Sequence, residues 1–268
     1  MRHVAPLIAL TFIATTAFAQ TNMDGDRMSG QIRLGFDAQD YSVGRTSQVG
    51  SIGATIRLLP RLTMEAVATG GTYFGERFGG GGAYVTVKPD ARTYFTVGGI
   101  RNSDTNTTVG WAASFDVGRV IYESRHGAIR GIETDFNWTK RGYHFSPSTG
   151  VLLLNPSVVV YLPRDWTVTL RGGAIRTSIA GTSLWTPSGG AKLNVPVTRR
   201  LSVSPAVSFD SELFDVLQIR NVSSREFGSG GRFWLTNRTS VDAYYSRVLY
   251  GANHLTMNSY GVSYALRF

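Results

Sequence analysis

The one pairing in this chain with the makings of an activated nucleophile is His144-Phe145-Ser146. In an extended segment, positions i and i+2 share a face. A histidine there can take the serine proton and ready the oxygen for attack on an ester. No third group that would orient the imidazole is identifiable, and Pro147 follows the serine. The plainer reading is an incidental loop histidine and loop serine. His126 and His254 stand alone. Asp104, Asp135 and Asp215 fall in or near predicted loops, and no Asp-x-His sequence accompanies them. No His/Glu spacing of a zinc site occurs, and nothing calls for a cofactor. Gly79-Gly80-Gly81-Gly82 lacks the Lys-Ser/Thr and the helix that would make it a phosphate loop. Glycines in a strand instead relieve crowding where it bends.

Whatever these residues do, strands must carry them. From about residue 30 to the end, the dominant signal is apolar–polar alternation with period two. Ile32, Leu34, Phe36 and Ala38 alternate with Arg33, Gly35, Asp37 and Gln39. Ile52, Ala54, Ile56 and Leu58 alternate with Ser51, Gly53, Thr55 and Arg57. Val109, Trp111, Ala113, Phe115 and Val117 form another such row, and Leu201, Val203, Val207 and Phe209 another. One face is large and apolar. The other is Gly, Ser, Thr and single charges, too small and wet to be a second core. A soluble sandwich would bury the apolar face and charge the other more uniformly. A transmembrane barrel turns the apolar face to lipid and the polar face to an enclosed lumen.

The start of the chain agrees. Met1-Arg2-His3, the apolar run Val4 to Ala14 and the small-x-small Ala17-Phe18-Ala19 predict a secretory signal peptide over 1–19. Residues 20–29 read as a short polar, disordered lead-in, and 30–268 as the barrel. No later run approaches the roughly 20 apolar residues of a spanning helix, so membrane crossing has to be by strands closed into a ring.

Turns set the strand number. Short turns are predicted at Pro60-Arg61, Lys88-Pro89-Asp90, Gly118-Arg119, Pro163-Arg164-Asp165, Thr198-Arg199-Arg200 and Asn237-Arg238. Longer polar connections are predicted at 40–47, 69–80, 102–107, 177–189, 211–224 and 250–258, with an external loop over roughly 127–150. This gives an all-β, antiparallel transmembrane barrel of about fourteen strands, within a range of roughly 12 to 16, with short periplasmic turns and longer extracellular loops. Two compact hairpins turning at Lys140-Arg141-Gly142 would make sixteen. An arginine stands in or beside every short turn, as ordinary solvated charge or as a partner for anionic headgroups. Trp166, Phe115, Tyr122, Phe233 and Phe268 are expected near the short-turn rim.

The closing strand is the most specific feature. Tyr260, Val262, Tyr264, Leu266 and Phe268 alternate with Gly261, Ser263, Ala265 and Arg267. A strand of this kind ending on an aromatic residue resembles the β-signal of Gram-negative outer-membrane proteins. That resemblance implies an integral outer-membrane, porin-like barrel of the cell envelope, surrounded by outer-membrane lipids and inserted by an assembly machinery that recognises this strand. Tyr161-Leu162-Pro163 with Trp166, together with the closing Tyr260–Phe268 strand, resembles the YaiO-type barrels over 30–268. Related barrels serve as pores of exopolysaccharide exporters behind helical repeats. No such repeats occur here, which argues against an exporter role. The family implies no catalytic residues. Outer-membrane phospholipases and lipid A deacylases have a similar His-x-Ser, but they follow it with Asn where this chain has Pro147.

By the alternation, Arg33, Arg57, Arg92, Arg125, Arg171, Lys192, Arg232 and Arg267 point into the lumen, as do Asp37, Glu65, Asp116, Glu123, Asp210 and Asp242. These charges either pair across a narrow interior and stiffen it, or form separate basic and acidic walls of a water-filled pore. Arginine supplies 24 of 27 basic residues, and the formal net charge is +9. An exported barrel meets no nucleic acid, so that partner for a basic protein is set aside. The expectation is a non-enzymatic barrel, structural or channel-forming, passing small anionic or saccharide solutes. One alternative is a lipid- or envelope-modifying hydrolase using His144 and Ser146. Another is a surface-interaction barrel acting through loops 177–189 and 211–224, with Trp185 and Leu213-Phe214 as anchors.

Overall fold

The computed structural model describes residues 29–103, 108–143, 149–179, 181–214, 219–251 and 255–268, with the side chains of 211–222 set apart. Fourteen antiparallel strands follow one another: β1 (Ser29–Tyr41), β2 (Arg45–Leu59), β3 (Leu62–Tyr73), β4 (Glu76–Val87), β5 (Thr93–Asn102), β6 (Trp111–Glu123), β7 (Gly131–Gly142), β8 (Gly150–Tyr161), β9 (Thr167–Ile179), β10 (Thr182–Pro196), β11 (Leu201–Phe214), β12 (Ile219–Trp234), β13 (Thr239–Tyr250) and β14 (Thr256–Arg267). Each pairs with its neighbour in sequence, and β1 pairs with β14 to close the ring. The closing register runs from Gln31↔Arg267 to Tyr41↔Met257. Gly30 and Phe268 complete the seam by exchanging both backbone hydrogen bonds at 3.0 Å. Closure leaves no edge of unpaired backbone groups, the condition for crossing hydrocarbon as strands.

The alternation resolves as the pattern requires. Ile32, Leu34 and Phe36 are exposed on the outer face, while Arg33 and Asp37 at the alternate positions are half-buried. The same holds around the ring for Ile52, Phe95, Val97, Leu170, Val207, Phe233 and the closing Tyr260, Val262, Tyr264, Leu266 and Phe268. A continuous apolar girdle of this kind is far larger than the patches soluble monomers expose. It identifies the outer face as the lipid face.

Fourteen is the expected number, but one hairpin is cut differently. Gly118 and Arg119 lie inside β6, and the turn falls at 124–130, with a bulge between Val120 and Tyr122. The register explains the move: Tyr94 lies across Gly118, where a Cβ would meet the ring at 2.3 Å. That glycine serves a close approach, not a turn. Phe115 therefore sits in mid-strand and stacks on Phe95, with centroids 6.4 Å apart. Trp166, Tyr122, Phe233 and Phe268 do flank the rim where Ser29 and Phe268 lie.

The segments expected as long loops are also largely strand. Residues 40–47 hold only a turn between Tyr41 and Arg45, 69–80 only Phe74-Gly75, and 177–189 runs mostly in β9 and β10. A bilayer needs about 9–11 residues per tilted strand, whereas β2 and β10 have 15 residues and β12 has 16. The ladder continues past the apolar girdle, because cross-strand hydrogen bonding does not depend on lipid. Outward positions on the far side turn polar, as at Asp40, Thr46, Gln48 and Arg247. That polarity mimics a loop in sequence. Lys140-Arg141-Gly142 closes β7 and is not a turn of its own, which removes the sixteen-strand alternative. Gly80 and Gly82 in β4 stand where β5 approaches: a Cβ at either would lie within 2.7 Å of a β5 carbonyl.

Candidate functional site

The interior near the terminal rim carries the charge. Asp242 of β13 is gripped by Arg232 of β12, Nε to Oδ1 and Nη2 to Oδ2, the second at 3.2 Å. This is the planar fork geometry that arginine supplies and lysine does not. The two residues are direct cross-strand partners, so the sheet itself sets the fork. Arg33 of β1 approaches the same carboxylate at 3.7 Å, and Ser263 Oγ donates to it at 3.5 Å. Lys192 of β10 feels both Arg232 and Asp242, and Arg267 of β14 feels Arg232, Arg33 and Asp242. Four cations thus gather on one carboxylate, with Glu65 of β3 in reach of Arg33. This is a basic wall with an excess of positive charge.

An acidic group stands across the ring. Tyr94 of β5 donates to Asp135 Oδ2 at 2.7 Å, Ser157 of β8 to Asp135 Oδ1 at 3.4 Å, and Tyr161 of β8 to Glu133 Oε2 at 2.8 Å. Asp116 of β6 lies beside them, its Oδ1 buried without a hydrogen-bond partner. These carboxylates come from β6 and β7. β7 is seven strands from β14 by either route around the ring, and β6 is seven from β13. The basic and acidic groups therefore face each other across the lumen.

One local device positions two of the inward aspartates, Asp135 and Asp37. An inward tyrosine lies over a glycine on the next strand and reaches an aspartate on the strand beyond. Tyr94 crosses Gly118 to Asp135, and Tyr244 crosses Gly261 to Asp37 at 2.7 Å. A Cβ on Gly261 would sit 2.3 Å from both Asp37 Oδ1 and the Tyr244 ring. Only glycine leaves room for the crossing.

Of the charged residues read as lumen-lining, Arg33, Glu65, Lys192, Arg232, Asp242 and Arg267 converge. Asp37 is held by Tyr244, and Asp116 joins the acidic group. Asp210 lies in electrostatic reach of Arg171 and of Arg141 on β7. Arg57 bonds the Pro60 carbonyl at 3.1 Å, at the lip. Arg92 and Glu123 pair at 3.8 Å but are about two-thirds exposed on the terminal rim. Arg125 is not in the lumen: it lies in the exposed 124–130 turn, because β6 runs on to Glu123. Glu133, Asp135, Arg141 and Glu226 were missed. The first three sit in β7, which the sequence reading gave to a loop, although Glu133, Asp135, Asn137, Thr139 and Arg141 alternate with Ile132, Phe136 and Trp138. That period was the available signal.

His144, Ser146, His254, Asp104 and Asp215 lie outside the described residues. His126 occupies the exposed 124–130 turn, where its carbonyl accepts from Ser124 Oγ at 2.6 Å. Trp185 is exposed on the outer face of β10, with the Arg176 guanidinium 5.9 Å from its ring centroid. It is a strand residue rather than a loop anchor. Leu213 and Phe214 belong to β11.

The far interior differs. Tyr41, Val248, Tyr250, Leu255 and Met257 form a buried apolar cluster, with Phe74 packed on it. Tyr41 and Tyr73 hydroxyls meet at 3.3 Å, and Phe74 lies 4.9 Å from Tyr41 and 4.6 Å from Tyr73, between ring centroids. Phe74 takes φ 50 in its two-residue turn. A non-glycine residue adopts that conformation only where surrounding packing holds it.

No family model matches this sequence, and no curated protein matches it. Solved structures do match in fold. An outer-membrane channel from Pseudomonas putida F1 aligns at 13% identity, covering 92% of this chain and 97% of that one, with TM-score 0.53. The Acinetobacter baumannii outer membrane protein Omp33 aligns at 11% identity over 90% and 99%, also with TM-score 0.53. A Pseudomonas aeruginosa FadL homologue gives 10% identity, 90% of each chain and TM-score 0.52. The chain thus has the fold of integral Gram-negative outer-membrane β-barrels, and its similar structures include channels.

Proposed function

We propose that this barrel is a non-enzymatic outer-membrane channel for small anionic or saccharide solutes, exported behind the 1–19 signal peptide and oriented with the terminal rim in the periplasm. The observation carrying this is the separation of the lumen charges. Arg33 and Arg232 hold Asp242, with Lys192 and Arg267 in electrostatic reach, while Asp116 on β6 stands seven strands from Asp242 on β13, and Glu133 and Asp135 on β7 stand seven strands from Arg267 on β14. Charges meant only to brace a closed interior would pair across it. Charges kept apart set up a transverse field in any water between them, and the cationic wall offers anions a path.

The remaining partners follow from the outer face. The apolar girdle takes the acyl chains of outer-membrane lipids, and Tyr260, Val262, Tyr264, Leu266 and Phe268 present the β-signal to the assembly machinery. Tyr161-Leu162-Pro163, Trp166 and the closing strand support a narrower kinship with YaiO-type barrels.

Planar-bilayer recording of the refolded mature protein tests the reading. Discrete open steps and a reversal potential favouring anions are expected, with the preference reduced in a Lys192→Gln, Arg33→Gln double variant. A silent bilayer, together with phospholipid or lipid A cleavage abolished by Ser146→Ala, would replace the channel with the hydrolase.

A further inference from the structure

The turns joining β10 to β11 and β12 to β13 border an open cavity of about 280 Å³ at the terminal rim, lined by Arg199, Arg200, Trp234, Thr236, Asn237 and Arg267. Three of the six are arginines, and none is acidic. The Arg267 guanidinium lies 4.4 Å from the Trp234 ring centroid, and that of Arg232 lies 5.8 Å from it. The charged groups nearest Arg267 are themselves mainly cations, Arg232 and Arg33, and the one carboxylate among them, Asp242, is already held by Arg232 and Arg33. Like charges crowded in this way call for a counter-anion.

The cavity takes two of its walls from the lumen side and the rest from the exposed rim turns. Phe233 and Leu235 flank Trp234 and are exposed outward, and Leu266 and Phe268 flank Arg267 in the same way. Trp234 and Arg267 therefore face in. The walls are preset: Thr198 Oγ1 accepts the Arg200 and Leu201 amides at 3.1 and 3.0 Å, and Thr236 Oγ1 accepts those of Arg238 and Thr239 at the same distances. The Trp234 amide, donating to the Arg200 carbonyl at 2.8 Å, ties the two turns together.

We propose that this cavity is a binding site for a small phosphorylated sugar at the periplasmic mouth. Guanidinium forks match phosphate oxygens. An indole ring offers a flat apolar face to the C–H side of a sugar, and Asn237 offers hydrogen bonds to its hydroxyls. Binding pockets for drug-sized ligands span about 300–1,000 Å³, so this one has room for a single sugar unit with its phosphate. The inward aim selects a soluble solute over a bilayer headgroup. The site takes its meaning from the channel reading, because a ligand held here stands at the foot of the basic wall of Arg232, Arg33 and Lys192.

Calorimetric titration of the full refolded barrel at low ionic strength tests it, with glucose 6-phosphate, glucose and inorganic phosphate as probes. Glucose 6-phosphate is expected to bind saturably, and both other probes at least about tenfold more weakly. Arg199→Ala with Arg200→Ala, in an exposed turn, should weaken it by about tenfold or more, while Arg238→Ala, outside the cavity, should not. Trp234→Phe should narrow the gap between glucose 6-phosphate and phosphate. Circular dichroism checks that each variant stays folded. The proposal falls if glucose 6-phosphate does not saturate, if the double variant binds like the parent, or if phosphatidylglycerol nanodiscs abolish the binding that phosphatidylcholine nanodiscs preserve, which would make the site one for lipid headgroups. Conductance is read separately. Open steps without binding remove the site and leave the channel; binding without open steps does the reverse.

Discussion

The two ends of the interior are built from different chemistry. Near the terminal rim, Arg33, Lys192, Arg232, Arg267 and Asp242 meet as charges on water-accessible walls. At the other end, Tyr41, Val248, Tyr250, Leu255 and Met257 pack as a small dry core, with Met257 only 1% exposed. Both sets sit on inward positions of some of the same strands, β1, β13 and β14. A barrel wall can thus spend one stretch of its inner face on packing and another on electrostatics. The apolar cluster braces the wall on one side of the far rim, and the charged stretch carries more cations than its one shared carboxylate balances.

If that division holds, stability and selectivity should come apart on mutation. The largest stability loss is expected for Tyr41→Ala, which empties the middle of the far cluster and should cost about 3–5 kcal/mol. Urea unfolding in detergent measures it, and ion selectivity should stay unchanged. Gly261→Val comes next. Its side chain would push into Asp37 and Tyr244, costing up to about 3 kcal/mol, and Tyr244→Ala should recover part of that in the double variant. Asp242→Asn should cost less, about 2 kcal/mol, but should raise anion preference in bilayer recordings, because four cations lose their shared carboxylate. A selectivity change in Tyr41→Ala, or none in Asp242→Asn, would break the comparison.

The smallest effect is reserved for a residue in neither region. Asp90, in the β4–β5 turn, accepts the Arg92 and Thr93 amides at 2.7 and 2.8 Å. These bonds, the Arg92 one first, hold its carboxyl below the usual carboxylate range. A depressed folded-state value means that its contribution is present above the unfolded pKa, near pH 4, and is lost as pH falls through the folded value. Asp90→Ala should therefore flatten a slight loss of stability below about pH 4, read from urea midpoints between pH 2 and 5.

Alternation was enough to assign the lipid face. Tyr260, Val262, Tyr264, Leu266 and Phe268 all face outward as their parity requires, because side chains of a strand have no third direction to take. Parity also carried most of the lumen charges, including the Arg232–Asp242 partners. It failed where a strand end was misjudged. Gly118 looks like a turn until Tyr94 is seen lying on it, and the polar far ends of β3, β4, β9 and β10 look like loops until their ladders are traced. Arg125 was placed in the lumen by counting on from that false turn.

Sequence by itself determined that this is a closed, lipid-facing barrel with charges inside, since period two and an unbroken apolar face leave one solution in a membrane. Arg33 reaches Asp242 only because the ring closes, whereas Arg232 already faces Asp242 across the β12–β13 hairpin. Strands β1 and β14 are neighbours through a seam between chain ends, and strands β7 and β14 are opposed through the count of fourteen. The convergence on Asp242, the facing acidic group and the arginine-lined cavity all depend on contacts between residues far apart in the chain, which no local pattern encodes.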